Sequence, residues 1–282
     1  MRVTLLGTGG PRPDPNRNAS TVAISIGNEH ILFDAGRGVV GQLVKAGIPL
    51  NSVNPVFITH HHYDHIGDLY DVMLATWMHG RKEPLRIFGP PETRRIADAM
   101  LTQVFDKDWQ WRSAGEPAFG GWKPVIVEDV STGVVLDTGR WTVRADIVEH
   151  GDGLGLPAAF LKRWTCYGYR FEADGKVVVI SGDTVDCPGI ARLAEGADVL
   201  IHCCYMSSAE MTTEHFRRTS KYTLAAGDTV GKIAARAKVG TLVLTHHLPR
   251  KDESVFADLA EEVSRDFSGK LVVGRDLTTI DL

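Results

Sequence analysis

The sequence predicts an α/β fold in a single domain, with two β-sheets packed together and helices outside. Three observations predict it. Short runs of β-branched and aliphatic residues recur between glycine-rich turns, and two halves of the chain repeat this rhythm. Runs such as VVVI (177–180) and LVLT (242–245) are nearly continuous hydrophobes, as expected of strands buried on both faces. The chain of 282 residues is 43% hydrophobic and 23% charged, enough to bury a sizeable core. No low-complexity linker divides it, so residues 1–282 are read as one domain.

In order, VTLL (3–6), TVAISI (21–26) and HILFDAG (30–36) read as strands. A helical pattern over 39–46 follows, then the strand PVFIT (55–59). Residues 70–121 read as mostly helical around the strand LRIFG (85–89), and DWQWRSAGEPAFGG, with Trp109, Trp111 and Phe119, reads as a loop or lid. The second half offers WTVRADIV (141–148), CYGYRFE (166–172) and KVVVISGD (176–183). After these come a helix near 189–195, the strand DVLIH (198–202), a helix over 224–238 and TLVLTH (241–246). A helix over 252–266 and KLVVG (270–274) finish the chain.

A net charge of −4 and a pI near 6.3 argue against a broad phosphate-binding face, because nucleic-acid binders carry a basic patch. No segment reaches the roughly 18 apolar residues of a membrane span, and MRVTLLGTGG lacks the long apolar core of a signal peptide. The four cysteines (Cys166, Cys187, Cys203, Cys204) have no CxxC spacing, so reduced thiols in a cytoplasmic protein are expected.

Chemistry-bearing residues fall just past strand ends. His60 follows VFIT, His150 follows ADIVE, Asp183 follows VVVISG and His246 follows TLVLT. Loops leaving the carboxyl ends of strands are where α/β proteins gather their chemistry. One strand-end His is usually structural, but four such ends with a dense cluster, THHHYDHIGDL (59–69), reverse that expectation. His60, His62, Asp64 and His65 form H-x-H-x-D-H. Alternate residues of an extended segment point the same way, so His60 and His62 can share an ion, while Asp64 and His65 turn into a helix and address a second. The supply fits two divalent ions: His60, His62 and His150 on one, Asp64, His65 and His246 on the other, with Asp183 bridging. Imidazole with carboxylate suits zinc, or manganese or iron where oxygen ligands increase. His61 should point away from its neighbours and is read as structural.

This pattern resembles the metallo-β-lactamase superfamily, and nearly the whole chain takes part. LLGTGGPRPDPNRNAS, ILFDAGRG, IFGPPETRR, ISGDT and LTHHLPR look like the branch that holds the tRNA 3′-processing endonucleases (RNase Z) and arylsulfatase-like hydrolases. The resemblance implies an αβ/βα four-layer sandwich with a dinuclear metal site, and places Asp34 of FDAG near the metals, where a carboxylate orients ligand imidazoles. It also implies dimerisation.

The chain departs from RNase Z in two places. The stretch between His150 and Asp183 holds GDGLGLPAAFLKRW and two strands, with no room for that family's long basic arm. The family's Glu after LIH is Cys203 here, and RRTSKYTLAAGDTVG lacks the His of its H-S-T motif. The expected function is therefore hydrolysis of a small ester, phosphodiester or aryl sulfate first, by a metal-bridging hydroxide. A small-molecule substrate is expected, nucleic acid is not, and no membrane is involved. Asp64, Asp183, His202 and His215 are the catalytic candidates, with Tyr222 and His247 as further assistants. Arg217, Arg218 and Lys221 could bind an anionic group. Trp77, Trp109 and Trp111 could wall an apolar pocket, and Lys162 and Arg163 could reach its mouth. His30 and His79 read as surface residues, and Cys187 as a small buried one. The alternatives are a tRNA 3′-processing endonuclease, a lactone or thioester hydrolase, and a non-catalytic metal sensor.

Overall fold

The computed structural model describes every residue of the chain except Pro117, Phe119, Gly120 and Lys251, so the expectation for Phe119 lies outside the described residues. Two compact units emerge, each built on one seven-stranded mixed sheet.

The first unit comprises residues 1–7, 16–130 and 276–282. Its strands are β1 (Arg2–Gly7), β2 (Thr21–Ile26), β3 (Glu29–Phe33), β4 (Val53–Phe57), β5 (Leu85–Gly89), β6 (Val125–Asp129) and the chain's last strand, β14 (Thr279–Asp281). They lie in the order β14-β1-β2-β3-β4-β5-β6. Pairing is antiparallel from β14 to β3 and parallel from β3 to β6. The helices are α1 (Val39–Lys45), α2 (Tyr63–Ile66), α3 (Leu69–Met78), α4 (Thr93–Ala99) and α5 (Asp106–Gly115). One face of the sheet (Leu6, Ala23, Leu32, Val56, Ile87) packs with Val39 and Leu43 of α1 and Val72 and Met73 of α3. The opposite face is buried too, and there Phe33, Phe57 and Phe88 stack with centroids 5.2 and 5.1 Å apart. Burial on both faces is why these strands read as hydrophobic runs.

The second unit comprises residues 8–15 and 131–275. Its strands are β7 (Gly133–Asp137), β8 (Trp141–Ile147), β9 (Tyr167–Ala173), β10 (Lys176–Ile180), β11 (Val199–Cys203), β12 (Thr241–Thr245) and β13 (Lys270–Val273), in the order β13-β12-β11-β10-β9-β8-β7. Here the parallel pairs run from β13 to β10 and the antiparallel ones from β10 to β7. The repeated rhythm of the sequence is thus a repeated sheet topology, three antiparallel pairings and three parallel ones in each unit. The helices are α6 (Ala158–Leu161), α7 (Pro188–Ala194), α8 (Glu214–Tyr222), α9 (Gly227–Arg236) and α10 (Val255–Ser264). Val230, Ile233 and Ala234 of α9 and Leu259 and Val263 of α10 recur at helical spacing, and they cover Val179, Leu200, Leu242 and Leu244 of the sheet.

Three expectations change. The loop or lid around Trp109 is helix α5, which opens on Asp106 and Asp108 and is braced by an Arg112–Asp108 pair at 2.9 Å. MTTEHFRRTSKY (211–222), where the sequence suggested no element, carries helix α8, and Thr213 caps it by accepting the Phe216 amide at 3.2 Å. No residue of α8 is buried, so its sequence carries no apolar stripe to announce it. Strands β6, β7 and β14 went unpredicted because their exposed positions break the hydrophobic pattern. Among the described residues, no helix is long and apolar enough to cross a membrane.

Candidate metal centre

In the first unit the site grows from the end of β4. Ile58 continues beyond the strand by donating its amide to Phe88 O (2.7 Å), and Thr59 and His60 follow, fully buried. His62 stands extended at the N-terminus of α2, which carries Asp64 and His65 in its single turn. His60 Nε2 lies 3.0 Å from His62 Nδ1, and Asp64 Oδ2 lies 3.6 Å from His65 Nε2. The alternation expected of an extended segment therefore does bring His60 and His62 to one point. His61 points elsewhere and bonds Thr93 Oγ1 at 2.7 Å, the structural role expected of it.

Behind these imidazoles sits Asp34, 2% exposed and at φ 65°. Three donors converge on its carboxylate: the Thr59 amide (2.7 Å), the Thr59 hydroxyl (2.9 Å) and His65 Nδ1 (2.7 Å). Burial pushes the Asp34 carboxyl up, and His65 and Thr59 oppose the shift. A hydroxyl has one proton, and Thr59 gives it to Asp34. Its oxygen, 3.0 Å from His60 Nδ1, must then accept from that ring. Both His60 and His65 are thus protonated on Nδ1 and present a lone pair at Nε2, the form that binds a metal.

In the second unit His150 lies just beyond β8, Asp183 beyond β10 and His246, at φ 60°, beyond β12. All three are at most 3% exposed. Asp183 Oδ2 is 3.1 Å from His246 Nε2 and 3.8 Å from His150 Nε2. His150 Nδ1 donates to the Thr223 carbonyl at 2.7 Å, which again leaves Nε2 with its lone pair. Gly10 stands so close to His246 that a Cβ added there would lie 2.8 Å from Cε1. In both units, neutral imidazoles aimed by hydrogen bonds and carboxylates beside them fit a divalent cation.

The other candidates are placed differently. His202 on β11 is fully buried. Its Nδ1 faces Cys203 O at 2.7 Å and its Nε2 has no hydrogen-bond partner among the described residues. Burial pushes it down to about 4, so it is neutral at physiological pH. His215 is exposed on α8, its ring 5.5 Å from Phe216. Cys203 lies between the Thr184 amide and carbonyl at 3.3 Å, and burial, then Asp183, push its thiol up to about 12. It cannot take over the proton transfer of the Glu it replaces. Trp77 is fully buried and donates to Gly121 O, so it packs the core rather than a pocket. Trp109 packs on Trp122 at 5.3 Å, and Trp111 is exposed. Sequence reasoning missed Thr59, Gly10 and the Thr223 carbonyl. Thr59 directly precedes the His cluster, a signal that was available.

The description "Beta-lactamase superfamily domain" matches residues 29–247 of the chain. A ribonuclease Z of Mycobacterium marinum is 32% identical over 290 residues, covering 100% of this chain and 99% of that protein. A ribonuclease Z of a Mycobacterium species (strain KMS) is 34% identical over 285 residues, covering 100% of this chain and 96% of that one.

The chain belongs to the ribonuclease Z branch of the metallo-β-lactamase superfamily.

Solved structures agree on the fold. The metallo-β-lactamase fold protein YhfI of Bacillus subtilis superposes with a TM-score of 0.76 at 21% identity, covering 99% of this chain and 98% of that one. The short form of human tRNase Z gives 0.73 at 23%, covering 100% and 99%. The fold expected from the sequence is the fold of this ribonuclease Z relative, and as a family member it is a metal-dependent hydrolase of ester bonds.

The expected partner needs correction. The expectation of a small-molecule substrate rather than a nucleic acid conflicts with relatives that are ribonucleases Z matched along the whole chain. The absent arm is no obstacle, because an alignment of 290 positions against a chain of 282 leaves the M. marinum protein no room for a long insertion either. Net charge misled because it averages over the molecule, whereas phosphate recognition needs only a local concentration of cations.

Proposed function

We propose that this chain is an endonuclease that cuts a phosphodiester bond at the 3′ end of precursor tRNA, acting in the cytoplasm. The observation that carries the reading is full-length similarity to ribonucleases Z in a chain that keeps the H-x-H-x-D-H cluster and its three later partners. The ligand assignment is that of the sequence: His60, His62 and His150 for one ion, Asp64, His65 and His246 for the other, and Asp183 for both.

Two divalent ions, zinc first, would supply a lowered pKa for water and positive charge against the developing oxyanion. The chain's own residues do the rest. Asp34 and Thr59 fix the tautomers of His65 and His60, and the Thr223 carbonyl fixes that of His150. The buried Asp64 and Asp183 set the local negative charge that holds cations. For the leaving oxygen, His215 is the proton donor to test, since burial keeps His202 neutral with its one proton on Nδ1 toward Cys203 O, and the Cys203 thiol is inert.

The test is incubation of the zinc- or manganese-loaded protein with precursor tRNA carrying a 3′ trailer. The expected result is a single cut at the trailer junction that Asp183→Ala abolishes. An intact precursor, beside turnover of a chromogenic phosphodiester by the same sample, would overturn the tRNA reading and leave the hydrolase.

A further inference from the structure

None of the nine residues of helix α8 is buried. A short helix in water gains little from propensity alone, so its anchoring is informative. Its C-terminal end is bonded to the loop that carries His150. Gly151 donates its amide to Tyr222 O at 2.6 Å, Arg218 Nη2 reaches Leu154 O at 3.4 Å, and Thr223 O accepts from His150 Nδ1. Gly153 lies flat against Tyr222, where a Cβ would come within 2.1 Å of Cδ1. The helix is therefore fixed to a metal ligand by its end while its face is left to solvent.

That face is basic. Arg217, Arg218 and Lys221 stand against one acid on the helix, Glu214, which meets Arg217 at 3.3 Å in the open. Lys221 Nζ lies over the Tyr222 ring at 4.8 Å and has no carboxylate partner among the described residues. Beside α8 runs a groove of about 500 Å³ lined by Met211, Arg217, Ser220, Lys221 and Tyr222 on one side and by Glu149, Val185 and Asp186 on the other. Of its two acids, Asp186 is already bonded by Arg236 at 3.1 Å. Glu149 precedes His150, and Val185 and Asp186 follow Asp183 by two and three residues, so the groove opens among the backbone segments that carry two ligands.

We propose that α8 and this groove form a nucleotide subsite in which Arg217 and Lys221 hold consecutive phosphates of an RNA strand. The proposal rests on the reading as a ribonuclease and names the element that does the work of the absent arm. Arg217 and Lys221 are four residues apart and share a helix face, separated by about 6 Å along the axis. That is close to the step between successive phosphates of one strand. Because α8 ends on the carbonyl that aims His150, a strand docked on the helix is held in register with that ligand.

The probe is fluorescein-labelled dodecauridylate, and its binding to the metal-loaded full chain is followed by anisotropy over a salt series. Each phosphate contact on a single strand contributes about 0.7 to the slope of log K against log[salt], so Arg217→Gln with Lys221→Gln should make it shallower by about 1.4. Arg217→Lys with Lys221→Arg should restore the wild-type slope. An unchanged slope in the Gln pair, no binding by wild type at low salt, or a loss in the charge-keeping pair as deep as in the Gln pair would each overturn the subsite. Cleavage of precursor tRNA is scored separately, so failure of the tRNA reading and failure of the subsite give different patterns.

Discussion

Thr59 donates its hydroxyl to Asp34 at 2.9 Å beside its amide at 2.7 Å, and this pair sets the protonation of His60 and His65, two of the proposed metal ligands. With its proton given to Asp34, the Thr59 oxygen can only accept from His60, while the same carboxylate oxygen takes the proton of His65. Thr59→Val keeps the shape and removes the relay. The expected result is a 10- to 100-fold weaker affinity for zinc, roughly the usual effect of losing such a partner, read by competition with a chromogenic chelator. Unchanged affinity would mean that the ring orientations are set by packing alone.

Gly10 is the second lever on the proposed ligands. A methyl group at this position would sit 2.8 Å from the His246 ring, closer than real Cβ contacts allow. Gly10→Ala should therefore lower bound metal per chain in proportion to activity while the thermal midpoint measured without metal moves little. A variant with full metal content would show that the loop of residues 8–15 gives way instead of the imidazole.

Phe57 lies in the centre of the Phe33–Phe57–Phe88 stack and is fully buried. Phe57→Ala removes the middle ring from two stacked pairs and leaves a cavity, at a cost of about 3–5 kcal/mol. Urea unfolding of wild type and variant, with equal slopes and a lower midpoint, would register it. A cost below about 1 kcal/mol would show that the stack collapses around the gap.

Cys203 has its thiol raised to about 12 by burial, so its thiolate fraction is negligible at pH 8. All four cysteines are buried, and none of them forms a disulfide. Iodoacetamide at pH 8 should leave Cys203 unmodified in the native protein and alkylate it after denaturation, as read by peptide mass spectrometry. Rapid native labelling of Cys203 would contradict its burial on β11.

Bound metal should raise the stability of the chain, because the proposed ligands of each unit stand together only when that unit is folded. Each hundredfold excess of free zinc over its dissociation constant stabilises by about 2.7 kcal/mol per site. Chelation should lower the thermal midpoint of wild type but not that of a chain with His60, His62, Asp64 and His65 all changed to Ala. Equal chelator sensitivity in both would place the metal elsewhere.

The sequence by itself determined the buried strand runs and the family, and it named the candidate ligands. Those features are local or periodic: VVVI and TLVLT are continuous because both sheet faces are buried, and H-x-H-x-D-H is contiguous because one strand end and one helical turn supply it. What only the tertiary structure decided lies in contacts between distant segments. The Thr223 carbonyl meets His150 across 73 positions, Thr59 meets Asp34 across 25, and nothing in either segment's pattern encodes its partner. Helix α8 was invisible for the opposite reason. None of its residues is fully buried and only Phe216 packs partly against the core, so it leaves no hydrophobic period, and its helical state rests on that contact, a cap and backbone bonds at its end. A charge total could not show that its cations gather on one exposed helix, because composition sums over a molecule whereas recognition depends on where the charges stand.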